Sequence, residues 1–174
     1  MAVRTILHYP DPRLRQKAVA VAEVTPAIKQ LVEDMAETMY AAPGVGLAAN
    51  QIGEAVRIFV IDTAGDDEPS KLRVFINPQI VSKQGELVWE EGCLSFPGVM
   101  EEIERAAHVR VKAIDQHGQP FELEAEGLLA VAIQHENDHL DGALMIDKMG
   151  ALKKRIVDRK MRRRAAERPG ASAR

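Results

Sequence analysis

The chain has 174 residues, 46 % of them hydrophobic and 28 % charged, the proportions of an ordinary globular domain with one core. No apolar run is long enough to span a bilayer, and residues 1–7 lack the apolar core and cleavage site of a signal peptide. A single cysteine excludes an internal disulfide and fits a reducing compartment, so a cytoplasmic protein is expected.

Tyr9-Pro10-Asp11-Pro12 opens the chain as a turn-rich segment. Thr25-Pro26 then reads as a helix cap followed by proline at the first helical position. Ile28, Leu31, Val32, Met35 and Met39 keep helical spacing, which predicts a helix over 26–41, stopped by Pro43-Gly44. Residues 56–62 read as a strand and 65–69 as a polar loop. Further β-rich runs lie at 72–76, 86–90, 108–114 and 120–125, the last two joined by a hairpin around His117-Gly118-Gln119-Pro120. A second helix is expected over 127–140. The order is helix, strands, helix, then a basic helix. It predicts an α+β fold with mostly antiparallel sheets packed around the second helix, plus a C-terminal helix.

Charge divides the chain into residues 1–150 and 151–174. The last 24 residues hold ten of the 23 basic residues and two of the 26 acidic ones, a net of +8 that leaves −11 on the body. Met149, Leu152 and Ile156 form an apolar stripe at helical spacing that gives out after Val157. The first turns of this helix should therefore dock, and its arginine-rich remainder should face solvent or a polyanion. Residues 170–174 should fray.

His135-Glu136-Asn137-Asp138-His139 carries the chemistry. Two histidines four apart lie on one face of a helix and can grip one metal ion, with Glu136 placed to take a proton from water on it. Leu128, Leu129, Val131, Ala132 and Ile133 precede the motif and Leu140 follows, so the helix should run through the core, where histidines need partners. A catalytic metal normally has three protein ligands and an open position. The third could be a carboxylate, another histidine, or Cys93, which sits between a strand and Pro97 in Glu90-Glu91-Gly92-Cys93-Leu94-Ser95.

Three segments, Gly44-Val45-Gly46-Leu47-Ala48-Ala49-Asn50-Gln51, Glu91-Gly92-Cys93-Leu94-Ser95 and Gln134-His135-Glu136-Asn137-Asp138-His139, resemble the signature motifs of peptide deformylases, in the same order. The opening from Ile6 to Arg15 is similar to that family's start, and the resemblance covers about residues 4–150. It implies that 1–150 is the catalytic domain and that Cys93, His135 and His139 hold the metal. The ion would be Fe²⁺, with Zn²⁺, Ni²⁺ or Co²⁺ able to substitute. The reaction would be removal of the formyl group from the formyl-methionine that begins new bacterial polypeptides. Glu136 would be general acid and base. The Gln51 amide and the Leu94 backbone N–H would stabilise the oxyanion. Methionine would lie against Val45, Leu128, Val131 and Ala132. Gly44 and Gly46 would let the substrate backbone approach, with 45–46 pairing to it like an added strand, and Gly92 would also bind substrate. A cysteine ligand would leave the site open to oxidation. Some members reach the ribosome through a C-terminal helix, which the basic tail would match.

One departure stands out: many relatives have an acid where this chain has Pro43, so the contact such an acid could make with an arginine, Arg105 for one, is not assured. Two other functions compete. A metalloendopeptidase would share the histidine motif but would more often use His or Glu as third ligand. A nucleic-acid-binding module would use the basic tail and leave Glu136 and Cys93 without a task.

Overall fold

The computed structural model describes residues 2–167. The expected fray at 170–174 lies outside them. Helix α1 spans Pro26–Ala41, as its periodicity predicts. Thr25 caps it, its hydroxyl accepting the Ile28 N–H at 3.2 Å.

Seven strands follow: β1 Gly46–Ala48, β2 Ile58–Ile61, β3 Arg73–Gln84, β4 Leu87–Cys93, β5 Phe96–Arg105, β6 His108–Ile114 and β7 Pro120–Glu126. Five form one antiparallel sheet in the order β1-β2-β3-β6-β7, and β4 and β5 make a separate hairpin. Helix α2 is Gly127–Leu140 and helix α3 is Ala151–Glu167. The architecture is α+β, as expected.

Strand β2 shows how the layers form. All four of its residues are buried. Successive side chains point to opposite faces. Ile58 and Val60 pack with Met35 and Met39 of α1, while Phe59 and Ile61 pack with Ala132 and Ile133 of α2. The two helices thus cover opposite faces of one sheet. The β4–β5 hairpin closes over the far side of α2, so the metal motif lies inside the protein.

The strand reading is incomplete in three places. β1 is only three residues long, and no strand is predicted there. β3 runs on to Gln84 past a shift in pairing between Ile76 and Gln79. Asn77 takes φ +52° there, and its side chain bonds both Val21 N and Val21 O, at 2.7 and 2.8 Å. β5 contains Pro97, Gly98 and three acids, which hide it from a propensity reading; such a strand fits only where one edge is unpaired.

Met149 of the expected stripe is buried, but beyond it the tail helix docks later, and on another face, than Leu152 and Ile156 suggested. Leu152 and Ile156 are 69 % and 54 % exposed, whereas Val157 and Met161 are buried against Leu7, Leu14, Phe96 and Val99. Polar ties reinforce this face: the Tyr9 hydroxyl donates to Asp158, which also pairs with Arg162. Met161→Ala should therefore cost about 2–5 kcal/mol in urea unfolding, while Ile156→Ala should stay within about 0.5 kcal/mol. Equal effects would return the docking face to the Leu152–Ile156 stripe.

Candidate active site

The site forms where three elements meet. Helix α2 brings His135 and His139, 8 % and 1 % exposed. The end of β4 brings Cys93, and the turn after β1 brings Gln51. Ligand atoms of Cys93, His135 and His139 lie within 4.8 Å of one another, and Cys93 Sγ is 3.4 Å from His139 Nε2. One sulfur and two imidazole nitrogens are the donor set of a transition-metal or zinc ion.

The surroundings fit a cation. His135 Nδ1 lies 2.9 Å from Glu91 Oε1. A carboxylate only accepts, so the proton sits on Nδ1 and Nε2 keeps its lone pair for a metal. His139 is pushed well below its ordinary pKa, first by burial and then by His135 and Arg105, and neutral imidazole is the form that binds metal. Burial also pushes His135 down, but Glu136, Cys93 and Glu91 outweigh it and hold its pKa well up. Anions converge there on a place for positive charge. Glu136 is 5 % exposed, and its Oε1 is buried without a hydrogen-bond partner among the described residues. Burial lifts its carboxyl to a pKa of about 7, although His135 and Arg105 pull it down.

A buried ionic network stands behind the histidines. Arg105 at the end of β5 donates through Nε and Nη2 to both oxygens of Glu91, at 2.5 and 2.9 Å, and through Nη1 to Asp138 at 2.9 Å. Arg105 and Asp138 thus join hairpin to helix, and Glu91 carries the link to His135. Pro43 takes no part in this, so the arginine contact left open by the sequence is filled by other carboxylates. Gln134 adds a second tie, bonding Ala106 N and O at 3.1 and 2.9 Å.

The site opens into a cleft of about 650 Å³. All six expected substrate residues line it: Val45, Gly46, Gly92, Leu128, Val131 and Ala132. So do Gln51, Cys93, Leu94, His135 and Glu136, while His139 lies behind them. Two glycines let the backbone pass close to side chains of the site. A Cβ on Gly46 would sit 2.7 Å from Glu136 Oε2, and one on Gly44 would sit 2.7 Å from Leu94 Cδ1. Sequence reading missed the placement of Glu91, Arg105 and Ser95. Glu91 and Ser95 stand inside the cysteine motif, but nothing in the sequence says that their side chains turn inward.

Fold and site together define a metal-dependent hydrolase of the H-E-x-x-H type. The profile "Polypeptide deformylase" matches residues 3–155, and the chain belongs to that family. It is 48 % identical over 167 residues to a peptide deformylase of Syntrophobacter fumaroxidans, covering 96 % of this chain and 98 % of the relative. It is 53 % identical over 164 residues to peptide deformylase 2 of Xanthomonas axonopodis pv. citri, covering 92 % and 95 %. A crystal structure of a peptide deformylase from Legionella pneumophila superposes with a TM-score of 0.88 at 47 % identity, covering 97 % of this chain and 100 % of that one. One from Ehrlichia chaffeensis in complex with actinonin gives 0.90 at 36 %, covering 94 % and 98 %. As a deformylase the protein is a hydrolase that takes the N-formyl group off new polypeptides. No helix among the described residues is long and apolar enough to cross a membrane.

The network makes a stability prediction. Removing one partner of a buried ion pair strands the others. Arg105→Met should therefore lower unfolding free energy by about 3–5 kcal/mol, read from urea denaturation. A change under about 1 kcal/mol would show that water or rearrangement satisfies Glu91 and Asp138 without it.

Proposed function

We propose that Cys93, His135 and His139 hold one divalent metal ion and that Glu136 moves the protons of deformylation. The observation that carries this is the convergence of three ligand atoms beside a buried carboxylate oxygen that has no hydrogen-bond partner among the described residues, at the floor of the cleft. When bound, the ion supplies Lewis acidity, polarising the formyl carbonyl and making water acidic enough to attack near neutral pH. Fe²⁺ is the proposed ion, with Zn²⁺, Ni²⁺ and Co²⁺ able to occupy the same ligands; a cysteine ligand beside iron favours loss of activity in air.

The protein's own groups do the remainder. Glu136 accepts the proton of the attacking water and gives one to the departing amine. Its high pKa in the buried site suits both duties, and a nearby cation would lower it towards the base form. Gln51 Nε2 and the Leu94 backbone N–H donate to the formyl oxygen as it becomes negative. The formyl carbon bears only hydrogen, so little room is needed there. Val45, Leu128, Val131 and Ala132 hold the methionine side chain, and Gly46 and Gly92 let the peptide backbone lie close. A metalloendopeptidase with this helix would need the same acid–base group; the formyl substrate is favoured because the chain carries the cysteine motif of a deformylase family.

Residues 1–150 are proposed as the catalytic unit, working in the cytoplasm on nascent formyl-methionyl chains. Helix α3 is proposed to dock on the ribosome. Arg155, Arg159 and Arg163 recur at one-turn spacing, are exposed, and have no ion pair among the described residues. Lys153, Lys160 and Arg162 are instead tied to Glu101, Gly98 O and Asp158.

Two measurements test these readings. Glu136→Ala and the parent protein, both purified anaerobically, should carry the same iron by elemental analysis. The variant should turn over a formyl-Met peptide on the order of 10²–10⁴-fold more slowly. Near-normal turnover would remove Glu136 from its role, and loss of iron would make it a ligand. For the tail, changing Arg155, Arg159 and Arg163 together to Glu should abolish ribosome co-sedimentation at low salt and leave turnover of short peptides intact. Parent binding should fall steeply with salt, as phosphate contacts do. Equal pelleting of both proteins would refute docking through this face.

A further inference from the structure

Gln51 is 1 % exposed, and its carboxamide is held at both ends. Its Oε1 accepts the Ala48 N–H at 2.9 Å. That bond decides which end is oxygen, because a flipped amide would set N–H against N–H. Nε2 then has two protons to place. Ser95 Oγ takes one at 3.0 Å. The other is left facing Cys93 Sγ at 3.7 Å, a long contact to a weak acceptor.

We propose that Ser95 is a positioning residue for deformylation: its buried hydroxyl engages one Gln51 amide proton and so aims the other at the formyl oxygen. This rests on Gln51 serving as an oxyanion donor. The final torsion of a glutamine is broad and roughly two-fold. The single anchor at Oε1 would leave the amide free to swivel, and the second anchor at Ser95 fixes its plane. A donor fixed beforehand needs no reorganisation as charge develops, which is the source of its catalytic worth.

Ser95 is itself fixed. It is fully buried, and its carbonyl accepts the Tyr9 N–H at 2.9 Å. Two residues earlier, Leu7 N–H donates to the Gln51 carbonyl at 2.7 Å. One extended segment near the N-terminus therefore holds the backbones of both Gln51 and Ser95. Tyr9 stacks on Phe96, centroids 5.0 Å apart, directly after Ser95. The spacing between amide and hydroxyl is set by this strap rather than by the cleft.

The test uses the metal-loaded full chain and a formyl-Met peptide. Gln51→Ala should lower kcat on the order of 10²–10³-fold. Ser95→Ala should lower kcat on the order of 10-fold, the worth of one hydrogen bond, with KM and metal content nearly unchanged. Ser95→Thr, which keeps the hydroxyl, should recover most of the loss. The double variant should be no slower than Gln51→Ala alone, because Ser95 acts only through Gln51. In ¹⁵N-resolved NMR spectra, Ser95→Ala should move one Gln51 side-chain amide proton upfield, a readout independent of turnover. Should Ser95→Ala fail to fold, Ser95→Cys, close in volume and a weaker acceptor, carries the same comparison. Normal turnover in Gln51→Ala would overturn the oxyanion assignment and the proposal with it. A slow Gln51→Ala beside a normal Ser95→Ala, or losses that multiply in the double variant, would overturn the role of Ser95 alone.

Discussion

The Arg105–Glu91 ion pair, extended to His135 and Asp138, is the constraint on which the site depends. The candidate ligands come from two elements far apart in sequence. Cys93 ends a strand of the small hairpin, and the histidines lie on a helix more than 40 residues later. Their donor atoms must stay within a few ångströms of each other. Apolar packing alone tolerates shifts of that size, because it is not directional. Charge-assisted hydrogen bonds are directional and short. The bonds of Arg105 to Asp138 and of Glu91 to His135 therefore set the hairpin against the helix, while the forked contact of Arg105 with both Glu91 oxygens fixes that carboxylate within the hairpin, where its Oε1 orients the His135 ring. A buried ion pair is poor evidence for added stability, since desolvation offsets much of the attraction. Its value here lies in geometry, and in the ring nitrogen it leaves for a metal.

The cleft shows a similar economy of space. The chain around β1 passes so close to Glu136 and Leu94 that a Cβ at Gly46 or Gly44 would push those side chains aside. On the proposed reading, substrate backbone would approach the carboxylate for the same reason. Apolar walls come from α2 itself: Leu128, Val131 and Ala132 lie one to two turns before His135, so in the proposed reaction one helix would carry both recognition and chemistry. Gln51 also lines the cleft, with Ser95 buried behind it, and both backbones are held by the segment that includes Leu7 and Tyr9.

Helix α3 joins this arrangement from outside. Its buried residues, Val157 and Met161, enter the cluster that contains Phe96 and Val99, which also line the cleft. The basic surface is therefore mounted on a helix fixed to the catalytic body, rather than on a free tail. Arg162 lies over the Tyr9 ring at 5.9 Å while paired with Asp158, so part of the positive charge is spent on holding the helix. Arg155, Arg159 and Arg163, without an ion pair among the described residues, repeat along one line, the arrangement suited to a polyanion.

Much of this was readable from the sequence because it is local. The bounds of α1, α2 and β6 follow from apolar periodicity, the Thr25-Pro26 cap and the turn at His117–Gln119. The chemistry followed from residue types at fixed spacing, the histidines one helical turn apart and the cysteine inside its motif. Where the signal was weak or ambiguous, the reading failed. β5 hides behind a proline, a glycine and several acids, and is a strand only because β4 pairs with it. Leu152 and Ile156 looked like the docking face of α3 because hydropathy says what a side chain prefers, not what stands opposite. Phe96, Val99 and Leu7 stand opposite Val157 and Met161 instead. The partners of His135, Gln51 and Arg105 lie 14 to 44 residues away in sequence, and only the folded chain decides which donors and acceptors meet. The sequence by itself determined the elements and the reactive groups; the tertiary structure decided their orientation, because hydrogen bonds and contacts between distant residues exist only once the chain has closed around them.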